Sequence, residues 1–500
     1  MLSMKNWMIT GLACVLLMSG PAAHAQEKVY PFWNSNQILP LRASGEQSAL
    51  SFSYSLTQQK EKANESRTDR VVSLSEDYDL VTTDETQMLT DYRVCRVFVW
   101  KTTETDFANQ SCYADPAFRP LELQNRLLLA EIMAGAMGKK KQSSKLEAQF
   151  WQEQELSVQV EPSNPLTRKT TPDGTEWLLG KQSVAKISRT GTALAPNERQ
   201  PLTRFLARNL TLHPQIRRDI SDSGFLPARI EITRQALAEE PSTDIHVFTN
   251  VARGKSSYPL PANLKSDLYK KAEEESPSGR MWRSSLRAAT GADNQSRPTL
   301  DTLIAEMKSA SARKNSLETT LLFLKITQIY QGAIGANPET LKKIRAAYLD
   351  IQAELGTGDA EALWVANKLA GDRGEGKERE DAARYLVTAS DLDKLDFGTF
   401  RYLTFNNLET MTKDSEKWDP NIRKAMPEPS DRFRIHIAAQ PWGSNAYFDF
   451  GNRIFGGYDA WEAWQIWDMG RAIDPDAADA LMGRITAFEA NLRKQQPDSF

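Results

Sequence analysis

The sequence predicts an α+β protein: an antiparallel β-rich domain over 26–250, a connector over 251–298 and an α-helical repeat-like domain over 299–500. Three observations carry that prediction. From Leu50, the apolar Leu50, Phe52, Tyr54 and Leu56 alternate with Ser51, Ser53, Ser55 and Thr57, the period of a strand with one dry face. Short strand candidates follow at 69–74, 78–83, 86–92, 93–100 and 107–113, close enough in sequence for an antiparallel meander. From 299 onward apolar residues recur at steps of three and four, the period of helices.

The N-terminus has the pattern of an export signal over residues 1–25. Lys5 supplies a positive start, Trp7 to Met18 an apolar run, Gly20 and Pro21 the breakers, and Ala23-His24-Ala25 a cleavage site between Ala25 and Gln26. No later segment holds 18 uncharged apolar residues, so no transmembrane segment is expected. Removing Lys5 with the signal takes the net charge from −3 to −4, which argues against nucleic-acid binding. The predicted location is the periplasm.

The mature chain keeps only Cys95 and Cys112. The polar run Lys101–Asp106 suits a hairpin turn. Centred between Thr103 and Glu104, that turn sets Trp100 opposite Phe107 and Cys95 opposite Cys112. Opposed residues sit roughly 4.5–5.5 Å apart at Cα, within the range of about 4.4–6.8 Å that a disulfide spans. A structural disulfide is therefore expected, and an exported chain meets the oxidising conditions it needs.

A helix is expected over Arg119–Met137, with Leu123, Leu127, Leu128, Ile132 and Met133 on its apolar side. Strands are expected at Leu156–Val160, Glu176–Leu179, Val184–Arg189, Arg229–Thr233 and Asp244–Thr249, with a helix starting at Pro201 between them. At fold level this half resembles the periplasmic lipoprotein carriers, a curved sheet around a helical plug; the alternative is a sheet that packs its own helices and leaves no ligand cavity. Residues 181–234 hold ten Lys/Arg against four Asp/Glu. Arg204, Arg208, Arg217 and Arg218 are thus candidates for an anionic partner, against the reading of a solvated face.

The 251–298 stretch is rich in Ser, Pro, Gly and charge, with a short helix near Leu264–Glu274, and is read as a connector. Helix candidates follow at 299–312, 316–332, 338–354, 397–412, 445–456, 458–473 and 475–495. From Asp359 to Ser390, two amphipathic patterns flank Gly371, Gly374 and Gly376. Ala360, Ala362, Trp364, the Gly374–Gly376 pair, Ala383 and Ala389 make this run resemble a Sel-one-like repeat, a branch of the tetratricopeptide-like helical repeats. That resemblance implies an array that buries its faces on neighbouring copies and presents a concave surface to a protein. Gly371–Lys377 also fits part of a phosphate-binding loop, but Glu378 stands where a Ser or Thr is required. Five of the twelve tryptophans fall after residue 417. Trp461, Trp464 and Trp467 are candidates for an aromatic groove, against the reading that they fill gaps between helices.

The search for chemistry is blank. His213, His246 and His436 have no metal-ligand spacing, there is no nucleophile elbow, and Ser311-Ala312-Arg313-Lys314 lacks the partners of an S-x-x-K site. His246 and His436 are each flanked by β-branched residues and are read as strand residues. No cofactor, metal or catalytic residue is expected. The favoured function is a soluble periplasmic adaptor, not an enzyme, that binds a protein or peptide. The alternatives are a carrier of lipid or another amphiphile in the β-rich domain, and a hydrolase without a recognisable motif.

Overall fold

The computed structural model describes residues 28–42, 45–60, 66–137, 145–158, 166–235, 241–292, 297–330, 428–474 and 482–500, with isolated residues between 339 and 346. The signal segment with Ala25 and Gln26, the helix candidates at 338–354 and 397–412, and the whole Asp359–Ser390 stretch lie outside the described residues.

The first half is one large, almost wholly antiparallel sheet. It begins with β1 (Gln47–Lys60), β2 (Ser66–Ser75), β3 (Tyr78–Thr82), β4 (Thr86–Asp91), β5 (Arg96–Lys101) and β6 (Asp106–Ser111). After helices α1 (Ala114–Met137) and α2 (Lys145–Glu155) come β7 (Thr167–Thr171), β8 (Gly174–Leu179) and β9 (Gln182–Ser188). The small strands β10 (Gly191–Ala193) and β11 (Phe225–Pro227) form a separate pair around α3 (Pro196–Asn209) and α4 (Pro214–Asp222). Then β12 (Arg229–Arg234), β13 (Ser242–Ser256) and β14 (Lys265–Ser266) complete a 12-stranded sheet in the order β14-β6-β5-β4-β3-β2-β1-β13-β12-β9-β8-β7. Among the described residues the sheet stays open, with β14 and β7 at its edges.

The alternation in β1 divides the two faces. Leu50, Phe52 and Tyr54 point to one side at 2%, 1% and 1% exposure. There they meet Phe205 and Leu206 of α3, Ile216 and Ile220 of α4, and Phe150 and Trp151 of α2. On the other side, a second core forms at the β3–β6 end, where Tyr78, Leu89, Phe98, Trp100 and Phe107 pack under Val29, Ile38, Leu260 and Leu264. Towards β1, β2 and β13 that second face carries no described cover.

The hairpin register is the expected one: Trp100 pairs with Phe107 and Arg96 with Ser111. Cys95 and Cys112 follow at the end of the ladder, 5.0 Å apart at Cα and bridged. The amide of Cys112 donates to the carbonyl of Cys95.

Four expectations are corrected. The strand expected at Leu156–Val160 is preceded by α2 through Glu155, and Ser157, at a φ of 53°, turns the chain; residues 159 and 160 lie outside the described residues. Its apolar side rests on the adjacent pair Phe150-Trp151, which shows no period to read. The helix expected from Pro201 starts a turn earlier, at Pro196. His436 lies in a helix, α9 (Pro429–Ala439), because Phe433 and Ile437, four apart, are its buried side. The connector is the fourth. Here β13 runs on to Ser256, and α5 (Asp267–Glu273) and α6 (Pro277–Thr290) bury Leu268, Met281 and Trp282. The Ser and Pro residues that read as linker are helix starts. Ser266 accepts from the Leu268 amide, Ser276 accepts from the Gly279 amide, and Pro277 fills the first turn.

The helices that follow are α7 (Leu300–Ala312), α8 (Ser316–Ile329), α9, α10 (Ser444–Gly456), α11 (Ala460–Ile473) and α12 (Met482–Gln495). The α7–α8 pair buries Leu303, Met307, Ile326 and Ile329 in its own cluster. The last three helices do not stand apart from the sheet. Tyr447, Trp464, Trp467, Met482 and Phe500 share one core with Cys95, Cys112, Tyr113, Met281 and Trp282, across the boundary expected near 299. Close approach inside this core depends on Gly451: a Cβ there would meet the Trp467 indole nitrogen at 2.2 Å.

Candidate functional site

The arginines and tryptophans offered by the sequence lead first into the protein. Arg204, 5% exposed, donates to the carbonyls of Ser75 and Glu76 and lies 3.9 Å from the Tyr92 ring centre. Arg208 donates to the carbonyl of Ser499 at 2.8 Å and to that of Cys112 at 3.2 Å. Arg217, 4% exposed, is paired with Asp498 at 3.0 Å and donates to Ser157 Oγ. Only Arg218 of the four keeps its side chain mostly in solvent, 3.9 Å from Asp498. Arg217 and Arg218 meet an acid of the chain's own C-terminal turn, Asp498, whereas Arg204 and Arg208 are held by backbone carbonyls. Burial of Arg204 and Arg217 therefore corrects the reading that they face a partner.

Two of the three tryptophans are corrected in the same way. Trp464 and Trp467 are buried edge to face, 4.9 Å apart. Their indole N–H groups donate to Glu489 and to the carbonyl of Phe448. Trp461 is half-buried against Phe118 of α1. Large rings fill the space between helices, and buried indoles find acceptors, as bulk and polarity together require.

His213 and His246 are packing residues with polar partners. His213 caps α4 through the Gln215 amide and stacks on Phe150 at 4.7 Å. His246, 1% exposed, meets the Tyr54 hydroxyl at 2.8 Å; burial, with Arg70 and Arg234 nearby, lowers its pKa to about 3. His436 is buried in α9. Among the described residues, no group of three or more His, Cys, Asp or Glu side chains is placed to hold a metal ion. Asp79 is perturbed in the opposite direction: burial raises its pKa to about 7 against the pull of Arg204 and the Tyr92 hydroxyl.

What remains open among the described residues is the second face of the sheet over β1, β2 and β13. An open trough of about 780 Å³ runs over β1, β2 and β13, with Arg229 of β12 and residues 82–84 at its margins. Ser53, Ser55 and Thr57 line its floor beside Arg67, Asp69, Val71, Val247 and Thr249. Its wall bends at a bulge opposite Ser51–Ser53, where Asn250 adopts a φ of 52° and donates to Ser53 Oγ. Arg67 and Asp69 pair at 3.0 Å with both side chains mostly exposed, so the pair is weak and readily exchanged for a partner's charges. Val71 is 57% exposed on the same floor.

None of these residues stood out in the sequence. Their signal was the polar half of the β1 alternation, which any sheet with one wet face also shows. What distinguishes this face is that its continuation over β3–β6 is covered, and a single strand's pattern does not report that.

No family model matches the sequence, and no curated protein matches it. A solved structure of lipovitellin, reported for its lipid–protein interactions, aligns with a TM-score of 0.14 and 10% sequence identity. The match covers 91% of this chain, which spans 56% of that one. A similarity at that TM-score carries no argument about fold or function.

Proposed function

We propose that this protein is a non-catalytic binding protein that works outside the cytoplasm and takes a polypeptide on the open face of its sheet. The trough carries the reading. It is lined by hydroxyls, two amides and mixed charge with exposed valine between them, the adaptable polar chemistry of protein-binding surfaces. An acyl chain is a poor fit to so polar a lining. The only ring in that lining, Tyr54, is 1% exposed, so no aromatic platform is offered to a sugar. The carrier alternative needs an apolar cavity on the helical side, where Phe52, Tyr54, Phe205 and Leu206 fill the space instead. Export rests on the N-terminal apolar run with its cleavage site, and the Cys95–Cys112 bridge suits an oxidising compartment. The Sel-one-like reading of Asp359–Ser390 would add a second protein-binding surface to the same adaptor.

The test is site-specific photo-crosslinking in the producing cells. A photoreactive residue at Val71 is expected to give a discrete polypeptide adduct, and one at Arg218, equally exposed in the basic stretch, is expected to give none. The reading fails if Val71 gives no adduct or if both positions give the same one.

A further inference from the structure

Among the described residues large exposed apolar side chains are few, and all but Val71 are gathered in one place. Of the five among the described residues, Leu128, Leu129 and Ile132 are 57%, 50% and 61% exposed on α1, and Tyr458, 41% exposed, leans on the same helix. The Tyr458 ring packs edge-on against Phe118, and its hydroxyl contacts Asn125. Leu121, Leu128 and Ile132 recur at steps of seven and four and so share a face, with Leu129 at its margin. Leu123, on the opposite side, is fully buried. The expectation that Leu128 and Ile132 share an apolar side with Leu123 is corrected: Leu123 is buried and the other two are exposed. Twenty-four residues make a helix about 36 Å long, and Leu128, Leu129 and Ile132 lie in its outer half.

We propose that this outer half of α1 rests on an anionic bilayer surface, with Leu128, Leu129 and Ile132 entering the headgroup–acyl boundary and Tyr458 lying at headgroup level. Charge complementarity selects that occupant. The sequence runs from the helix directly into Lys139-Lys140-Lys141, and apolar side chains followed by a lysine run match the recognition of an acidic membrane surface. The acid on this half of the helix, Glu131, opposes such a surface but is outnumbered three to one. A second copy of the chain is a weaker match, because a stable dimer draws on about 20–30 residues a side and this stripe supplies four. The inference is independent of the trough, which involves other residues.

The test uses the mature protein with equimolar phosphatidylglycerol–phosphatidylcholine vesicles and with phosphatidylcholine vesicles alone. The protein is expected to cosediment with the mixed vesicles, less so at high salt, and to leave the neutral ones largely unbound. The double variant Leu128→Gln/Ile132→Gln is expected to bind at least about tenfold more weakly with unchanged thermal stability, since both side chains are already in water. As a second reading, Leu129→Cys carrying an environment-sensitive fluorophore is expected to shift to the blue only with mixed vesicles. The proposal is overturned if the protein ignores mixed vesicles or binds both kinds equally. It is also overturned if the double variant binds undiminished, or if the stripe instead supports a dimer that the double variant abolishes.

Discussion

Asp79 and His246 are two buried groups whose charge the fold suppresses, and they act on stability in opposite directions. Asp79 has a pKa of about 7 in the fold against 3.8 unfolded. The native state therefore holds its proton longer, and stability falls as pH rises from about 4 to about 7. His246 has a pKa of about 3 in the fold against 6.5 unfolded. The native state refuses the proton that the unfolded chain takes up, and stability falls as pH drops from about 6.5 towards 3. Between about pH 4 and 6.5 the two slopes oppose each other, each at most about 1.4 kcal/mol per pH unit. Single variants are expected to unmask them. Asp79→Asn leaves a melting temperature that rises with pH across that window, and His246→Gln leaves one that falls. Thermal melts at several pH values check both signs, and parallel curves for the two variants would refute the assignment. Neither residue's state is readable in sequence, because burial by α2, α3 and α4 sets it and those contacts are far apart in the chain.

At the scale of elements, the β5–β6 hairpin was the most legible. A polar turn of known centre fixes every opposed pair, so the Cys95–Cys112 bridge followed from counting. Converting both cysteines to serine is expected to cost about 3 kcal/mol in denaturant unfolding, since the bridge closes a separation of 17 residues beside the core. A loss well below 1 kcal/mol would mean that the hairpin holds its register unaided. The alternation in β1 was equally plain, because a period of two across eight residues has one interpretation. The connector was misread for an instructive reason. Ser266, Ser276 and Pro277 have the composition of a linker, and the same residues are the preferred helix starts. What separates the two is the apolar pair Met281-Trp282 that follows, and its burial depends on α9 and α11, far along the chain. His436 failed similarly: Ile435-His436-Ile437 is too short to fix a period, and Phe433 with Ile437 decides the helix.

At the scale of the molecule, the C-terminal turn ties the halves together. Asp498 pairs with Arg217, Ser499 accepts from Arg208, and Phe500 packs on Tyr113 with Arg493 over both rings. A second tie is the buried pair Arg96–Asp468 at 2.6 Å, continued by Arg471 to Glu489. Asp498→Ala leaves Arg217 buried without its anion and is expected to cost about 2–3 kcal/mol. Arg218→Ala, at an exposed site, is expected to stay within about 0.5 kcal/mol. Chemical unfolding of the two variants checks the contrast, and equal effects would contradict the placement of the turn. A local charge of +6 invited a partner from outside, and the sequence offered no sign that the answering acid lay some 280 residues away.

The account turns on one division: the buried arginines are consumed within the chain, and the proposed function assigns the exposed arginines of the trough to a partner. Arginine footprinting by mass spectrometry reads that division directly, on protein purified gently from its cells and again after a high-salt strip. The account predicts that Arg204 and Arg217 stay unreactive in both samples, while Arg67 and Arg229 react freely after the strip and are protected before it. Reactive Arg204 and Arg217, or Arg67 and Arg229 equally reactive in both samples, would contradict it.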